Sequence, residues 1–336
     1  MFSIIIPLYN KAPYIAKAIQ SVASQTFQEF ELIVIDDGSK DCPLPPEGGN
    51  LKQRLSFIEN CEDFVKKVRI IKQENQGVSN TRNNGVKLAK YDYIAFLDAD
   101  DWWEPTFLEE MKVLIDTFPE AGIYGSGYYK VRNGAFIPAK IGVPASFNIG
   151  YIDYFKVYAS TMWMPLWTGA VVIPKTIYEE FNGFKPELKM GEDFHLWVRI
   201  AAKYKVAFVN KQLSNYNQDV DIANRAVDEK LYMPHEHMLF ADYGDLMQVA
   251  DFRSLYEVLA VYGLMPYYLA KKNKPEVEKI ISTIHWENHS FKYRLYYRLL
   301  PRIVVVWWYK MLKLGSISKN TFKLLIRKNE FHKLYE

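Results

Sequence analysis

The stretch Tyr91–Trp103, Tyr-Asp-Tyr-Ile-Ala-Phe-Leu-Asp-Ala-Asp-Asp-Trp-Trp, constrains this chain more than any other. Tyr93 to Leu97 is apolar without a polar interruption, the pattern of a strand buried on both faces. Asp98, Asp100 and Asp101 then crowd three carboxylates into four residues. Pro105, followed by Phe107, Leu108, Met111, Leu114 and Ile115 at helical spacing, marks a helix over about 104–118. A strand that ends in acid and turns into a helix predicts an α/β sheet with its ligand edge at that end. Crowded carboxylates repel one another, and a hard divalent ion such as Mg2+ or Mn2+, shared with phosphate oxygens, suits them. The plainer alternative is a solvated acidic turn that caps the next helix.

The same design recurs upstream. Phe2 to Pro7 reads as a buried strand running into Leu8-Tyr9-Asn10, and Pro13 opens a helix with an Ile15, Ala18, Ile19, Val22 stripe. A second strand, Phe30 to Ile35, ends in Asp36-Asp37-Gly38-Ser39, and Cys42 to Asn50 is a Pro- and Gly-rich loop. A third, Val68 to Gln73, leads to Gln76-Gly77 and a short helix carrying Arg82. Strand and helix alternating in this order predict right-handed parallel crossovers. Both acidic ends and the Tyr9 loop then share one edge.

Further on, Ile123 to Arg132 and Ala170 to Ile173 are β-prone. Phe194, Trp197, Val198 and Ala201 give one face of a helix with Glu192 and Asp193 at its amino end. The sheet pattern closes near Val209 to Tyr216. This predicts an α/β domain over 1–225 and a helical, basic and aromatic region over 226–336.

Charge separates along the same line. From Lys292 onward there are 11 Lys/Arg against two Glu, a balance of +9 within a chain whose net charge is +3. Arg294, Arg298 and Arg302 recur every four residues beside Tyr296, Tyr297, Leu299, Leu300, Ile303, Val306 and Trp307. That predicts docking on an anionic membrane face through 292–315 without crossing it, because the apolar run is far short of the ~20 residues a span needs. The bland alternative is a helical subdomain with solvated cations. No nucleic-acid motif appears. Two cysteines, Cys42 and Cys61, give no disulfide framework. The strand-like opening does not read as a secretory leader, so a cytoplasmic enzyme held on the inner membrane face is expected.

Taken in order, Ile6-Pro7-Leu8-Tyr9-Asn10, Asp36-Asp37-Gly38-Ser39, Gln76-Gly77 with Arg82-Asn83, Phe96-Leu97-Asp98-Ala99-Asp100-Asp101, and Gly191-Glu192-Asp193 resemble the inverting glycosyltransferases of family 2. The resemblance covers roughly residues 2–220. It implies a GT-A fold, Rossmann-like with a mostly parallel sheet, here with a C-terminal helical extension. It also implies transfer of a hexosyl or N-acetylhexosaminyl group from a nucleotide-diphosphate donor, in particular a UDP-sugar. The acceptor would be a hydroxyl of a glycan or lipid-linked molecule, as in surface-polysaccharide assembly. By the same resemblance Asp37 and Tyr9 hold the nucleotide base, with Pro7 shaping the loop. Arg82 contacts the donor, Asp98 lies near the ribose and Asp100 binds Mn2+ or Mg2+. Asp193 is the catalytic base, with Glu192 and Asp101 in support. Many members carry an Arg-x-His-like pattern near the diphosphate. Here the stretch is Asn215-Tyr216-Asn217-Gln218-Asp219, with Arg225 the nearest arginine.

Chemistry supports that division of labour. A departing diphosphate carries charge that a cation stabilises, and an attacking hydroxyl needs a proton acceptor. One base and one cation site suit single displacement with inversion. Singly, each motif has a plainer reading: Asp37 as a turn residue, Glu192 and Asp193 as helix caps, Arg82 as a surface residue. Trp102, Trp103, Trp163 and Trp167 suit core packing better than sugar stacking, and His235 and His237 lack the spacing of a helical zinc pair. A sugar-nucleotide pyrophosphorylase would need a Gly-rich loop after the first strand, which Pro7-Leu8-Tyr9-Asn10-Lys11 lacks. A membrane-attached sugar-nucleotide-binding or scaffold protein without transfer activity is the other class.

Overall fold

A computed structural model describes residues 1–41, 61–220 and 231–315; Cys42, the loop expected after it and Arg225 lie outside the described residues. The chain divides into two compact units, Met1–Asp228 and Glu229–Glu336.

The first unit begins β1 (Phe2–Leu8), α1 (Ile15–Ala23), β2 (Phe30–Asp36), α2 (Cys61–Val65), β3 (Val68–Lys72), α3 (Val78–Leu88) and β4 (Tyr93–Phe96). Every residue of β1 is buried. It pairs in parallel with β2 from Phe2↔Phe30 to Leu8↔Asp36 and with β4 from Phe2↔Tyr93 to Ile5↔Phe96. β3 continues the parallel ladder beside β2. The ends that carry Tyr9, Asp37 and Asp98 therefore emerge along one edge.

Pro7 lies inside β1 and not in the loop beyond it. The Leu97 N–H donates to the Ile5 carbonyl, so odd positions of β1 turn their backbone groups toward β4. The β4 ladder ends at Ile5↔Phe96. Pro7 thus falls just past the last rung on that side, where a missing N–H removes no hydrogen bond.

β5 (Trp102–Trp103), α4 (Phe107–Thr117), β6 (Ala121–Arg132), β7 (Ala135–Pro138), β8 (Ile149–Ile152), α5 (Tyr154–Thr161), β9 (Val171–Pro174), α6 (Lys175–Glu180), α7 (Glu192–Lys203) and β10 (Lys205–Asn217) follow. The sheet order is β3-β2-β1-β4-β9-β6-β10-β5. β9 runs antiparallel to both β4 and β6, and β10 is parallel to β6. The helix expected from Glu104 starts three residues later, because Trp102 and Trp103 first pair with Asn215 and Ser214 of β10. Trp103 is buried, stacks on Phe107 at 4.2 Å and donates from Nε1 to the Gly169 carbonyl at 2.6 Å. An aromatic pair finds more contact on that pleated edge than in a first helical turn.

Side chains alternate across β1. Ile4, Ile6 and Leu8 join the core formed with α1 and α4. Ile5 points to the other face, where α3 lies so close that a Cβ on Gly85 would meet Ile5 Cγ2 at 2.5 Å.

The second unit is helical among its described residues: α8 (Ala250–Gly263), α9 (Met265–Ala270), α10 (Lys274–Thr283), α11 (Phe291–Arg294) with a π turn over Leu295–Leu299, and α12 (Arg302–Gly315). Buried Glu257 gathers it, accepting from Arg253 Nε at 3.2 Å and meeting His285 Nδ1 at 2.8 Å and His289 Nε2 at 3.2 Å. The expected stripe of Arg294, Arg298 and Arg302 does not form on one helix, because the chain breaks at Leu300 and Pro301. Arg302 turns inward, where Nε donates to the Tyr268 carbonyl at 2.7 Å and Nη2 to the Leu269 carbonyl. Tyr296 and Tyr297 are buried. No described helix is long and apolar enough to cross a membrane.

Candidate active site

At the end of β2, Asp36 Oδ1 accepts the Ser39 N–H at 2.8 Å, and Gly38 takes φ +77°, a conformation open to glycine. The turn aims buried Asp37 at the start of α3. Its Oδ1 accepts from Gln73 Nε2 at 2.7 Å and the Gln76 N–H at 2.9 Å, and Oδ2 accepts the Gly77 N–H at 2.9 Å. A carboxylate has about four lone-pair sites, so Oδ2 keeps one for a ligand. The β1 loop is tied to the same turn. The Asn10 N–H donates to Ser39 Oγ at 3.0 Å, and Asn10 Oδ1 accepts the Lys40 N–H at 2.8 Å. Beside it Tyr9 is 43% exposed, an aromatic face left open to solvent.

The three carboxylates after β4 have three different partners. Asp98 Oδ1 accepts from Arg82 Nη2 at 2.6 Å. Asp100 Oδ2 pairs with Lys11 Nζ from the β1 loop. Asp101 is buried and accepts the Asn217 N–H at 2.8 Å and Trp167 Nε1 at 3.3 Å. Burial, then repulsion from Asp100 and Asp98, pushes the Asp101 carboxyl well above the usual carboxylate range. Burial raises Asp100 too, with Lys11 opposing. The stretch Asn215–Asn217, which departs from the family pattern, serves this turn: Asn215 Nδ2 donates to Glu104 Oε1 at 2.8 Å, and Asn217 holds Asp101.

α7 starts from Gly191 in the left-handed conformation. Glu192 Oε1 accepts from Arg82 Nη1 at 2.9 Å. Asp193 is buried, with Oδ1 on the Phe194 N–H at 2.7 Å and Oδ2 on Thr168 Oγ1 at 2.9 Å. Burial raises both carboxyls, Glu192 to about 7, with Asp193 adding repulsion and Arg82 opposing it. For Arg82, burial alone would lower its affinity for the proton, but Asp98 and Glu192 outweigh that and hold it above its ordinary range.

Arg82 is thus a buried fork between the β4 turn and the head of α7, two segments that lie about a hundred residues apart in sequence. Its guanidinium faces two carboxylates of its own chain. Asp98, Glu192 and Asp193 gather around it, whereas Asp37 and Tyr9 form a second cluster along the same edge. Lys11, Gln73 and Thr168 were missed in the sequence. Each is an ordinary residue type whose role rests on a carboxylate distant in sequence. Trp103 packs in the core as expected, and Trp167 lies 4.1 Å from the Tyr216 ring. His195 is buried and pushed down to about 4 by burial and Arg199, so it is neutral at pH 7. Among the described residues no group of three or more His, Cys, Asp or Glu side chains is arranged to hold a metal by itself.

The profile of the family described as glycosyl transferase family 2 matches residues 3–158. An uncharacterized glycosyltransferase of Rickettsia felis is 30% identical over 215 residues, which cover 63% of this chain and 32% of that one. Glycosyltransferase GlyA of Streptococcus pneumoniae serotype 4 is 31% identical over 250 residues, 68% of this chain and 32% of its own. The chain spans about a third of the length of these relatives. Among solved structures, S. aureus TarS 1–349 in complex with UDP-GlcNAc aligns with a TM-score of 0.62 at 18% identity, over 83% of this chain and 79% of that chain. The same protein in complex with UDP aligns with a TM-score of 0.60 at 17% identity, over 97% and 94%. At such identities the likeness is one of fold.

Proposed function

The chain carries a family 2 glycosyltransferase domain over residues 3–158, and from that premise we propose that it moves a sugar from a UDP donor to an acceptor hydroxyl with inversion. The observation that carries the reading is the Arg82 fork, which ties the acidic β4 turn to the residue beside Asp193. A donor turn and a proton acceptor linked through one side chain suit a single displacement. The TarS complexes with UDP-GlcNAc and UDP support a UDP-sugar, and make an N-acetylhexosamine the first donor to try.

Asp37 accepts an N–H of the base through its remaining lone pair, with the exposed Tyr9 ring beside it. Asp193 takes the proton from the acceptor hydroxyl as its oxygen attacks the anomeric carbon. Thr168 and the Phe194 N–H fix the carboxylate, and burial raises its pKa toward the working pH, where a general base is most effective. The acceptor is a hydroxyl of a glycan or a lipid-linked molecule.

Asp98 and Asp100 fit a hard divalent ion. They are crowded oxygen donors, and burial keeps Asp100 raised even with the Lys11 ammonium beside it, so a second cation there would ease its ionisation. No protein cage accompanies them, so Asp100, with Asp98 beside it, would hold Mn2+ or Mg2+ together with diphosphate oxygens. When bound, the ion stabilises charge on the departing phosphate.

Asp193→Asn tests the assignment. With UDP-GlcNAc and an acceptor panel, kcat should fall by roughly 10^2-fold or more while UDP affinity holds. Transfer near the parent rate by the folded variant would sink the base. Proton NMR of the product reads the anomeric configuration directly.

A further inference from the structure

The helical second unit presents a surface that the transfer chemistry does not use. α12 is held inward by Val305, fully buried, and by Tyr309, whose ring lies 6.0 Å from that of Tyr296. Its other side is apolar and turned outward. Ile303 is 76% exposed and Trp307 59%, and Met311 continues the row, so positions i, i+4 and i+8 line one exposed face. Val304 and Trp308 widen it. An amphipathic helix in a globular unit normally turns such a stripe into the core.

Next to this face lies a cleft of about 740 Å3 lined by Tyr268, Lys271, Lys272, Arg298, Arg302 and Ile303, among others. Lys272 and Arg302 spend their donors on the carbonyls of Leu231, Tyr268 and Leu269. Lys271 and Arg298 form no ion pair among the described residues. Glu278, the acid lining the cleft, pairs with Lys274 at 3.5 Å. Ile303 belongs both to the cleft and to the apolar row, so the two features form one continuous surface.

We infer that this surface seats the chain on an anionic membrane, with Ile303, Trp307 and Met311 in the headgroup layer and Lys271 and Arg298 on lipid phosphates. Charge complementarity selects this occupant. Two cations without ion-pair partners among the described residues, at the rim of an apolar row, match a surface that sets phosphate beside hydrocarbon. A lipid surface offers hydrocarbon and phosphate a few ångströms apart, and tryptophan favours that boundary. The unit would lie on the membrane and not cross it. The surface differs from the arginine stripe expected from sequence, because Arg302 and the two buried tyrosines are structural, and a lysine from the end of α9 takes part instead.

The inference stands apart from the donor chemistry, and its test needs no sugar. Flotation of the full chain is measured with phosphatidylcholine vesicles, with and without phosphatidylglycerol, at low salt. Binding is expected to the anionic vesicles alone. Lys271→Gln with Arg298→Gln should weaken partition about thirtyfold, at roughly fivefold per cation. Brominated lipid should quench tryptophan fluorescence of the parent chain, and Ile303→Ser with Trp307→Ser should abolish flotation on the anionic vesicles. All four residues lie at or near the surface, and sedimentation velocity checks each variant's state. Three outcomes would overturn the inference: no flotation of the parent chain, equal flotation on neutral vesicles, or a parent dimer that the Ile303/Trp307 variant splits, which would assign the face to a second copy.

Discussion

Glu192 shows how far one buried arginine can be shared. Its carboxyl titrates near 7 although a guanidinium sits 2.9 Å away, because burial and Asp193 outweigh that contact. A carboxyl whose folded pKa lies above the ordinary 4.5 binds its proton more tightly in the folded state. Its contribution to stability is therefore fully present below about pH 4.5 and is lost as pH rises to about 7. The loss amounts to roughly 3 kcal/mol at most. Donor-free melts of Glu192→Gln against the parent from pH 5 to 8 should diverge in favour of the variant as pH rises. A constant difference would mean that Arg82 keeps Glu192 ionised throughout. Lys11 gives a second expectation at this scale. Its ammonium occupies the carboxylate proposed for the metal ion, so Lys11→Met should tighten Mn2+ binding to the donor-free protein, on the order of fivefold by electron paramagnetic resonance titration. Weaker Mn2+ binding would place Lys11 on the side of the ion and not against it. The acids of this site were legible because each stands at a strand or helix end within a short motif. Lys11, Gln73 and Thr168 were not, since a lysine after a strand or a threonine before one takes its meaning from a partner that only folding brings near.

Among the elements, α3 carries the burden of precision. It delivers Arg82 to its two carboxylates, and it reaches them only because Gly85 lets the helix lie directly on Ile5. Gly85→Ala should cost about 1–3 kcal/mol through overpacking, since the obstructing atom is a branch methyl close to the backbone. Chemical denaturation measures that cost. The shift should also lower transfer by moving the fork, while a variant that unfolds at the parent midpoint would show that β1 yields without strain. The parallel ladder β3-β2-β1-β4 was readable from apolar runs and acidic ends. β5 was not, because a two-residue strand has no periodicity and exists only through its pairing with β10. The face of α12 was obscured differently. Its spacing is amphipathic, but which side turns inward depends on Pro301 interrupting the chain and on Arg302 finding two carbonyls.

For the whole molecule, the donor is the most economical probe. A ligand that binds only the folded state stabilises by mass action, about 2.7 kcal/mol at a hundred times its dissociation constant. UDP-GlcNAc with Mn2+ should raise the melting temperature, and Asp37→Ala should remove most of that shift. An undiminished shift in Asp37→Ala would remove the base contact from Asp37. The order of the sheet has another consequence, one of time. β1 is one of the two inner strands of the parallel ladder, and one of its flanks stays open until Tyr93–Phe96 follows it in synthesis. At about 5–20 residues per second of synthesis, that is several seconds to some twenty seconds in which Phe2-Ser3-Ile4-Ile5-Ile6 presents an incompletely paired apolar edge. During that interval the segment is a natural client for a chaperone and, without one, the place where aggregation starts.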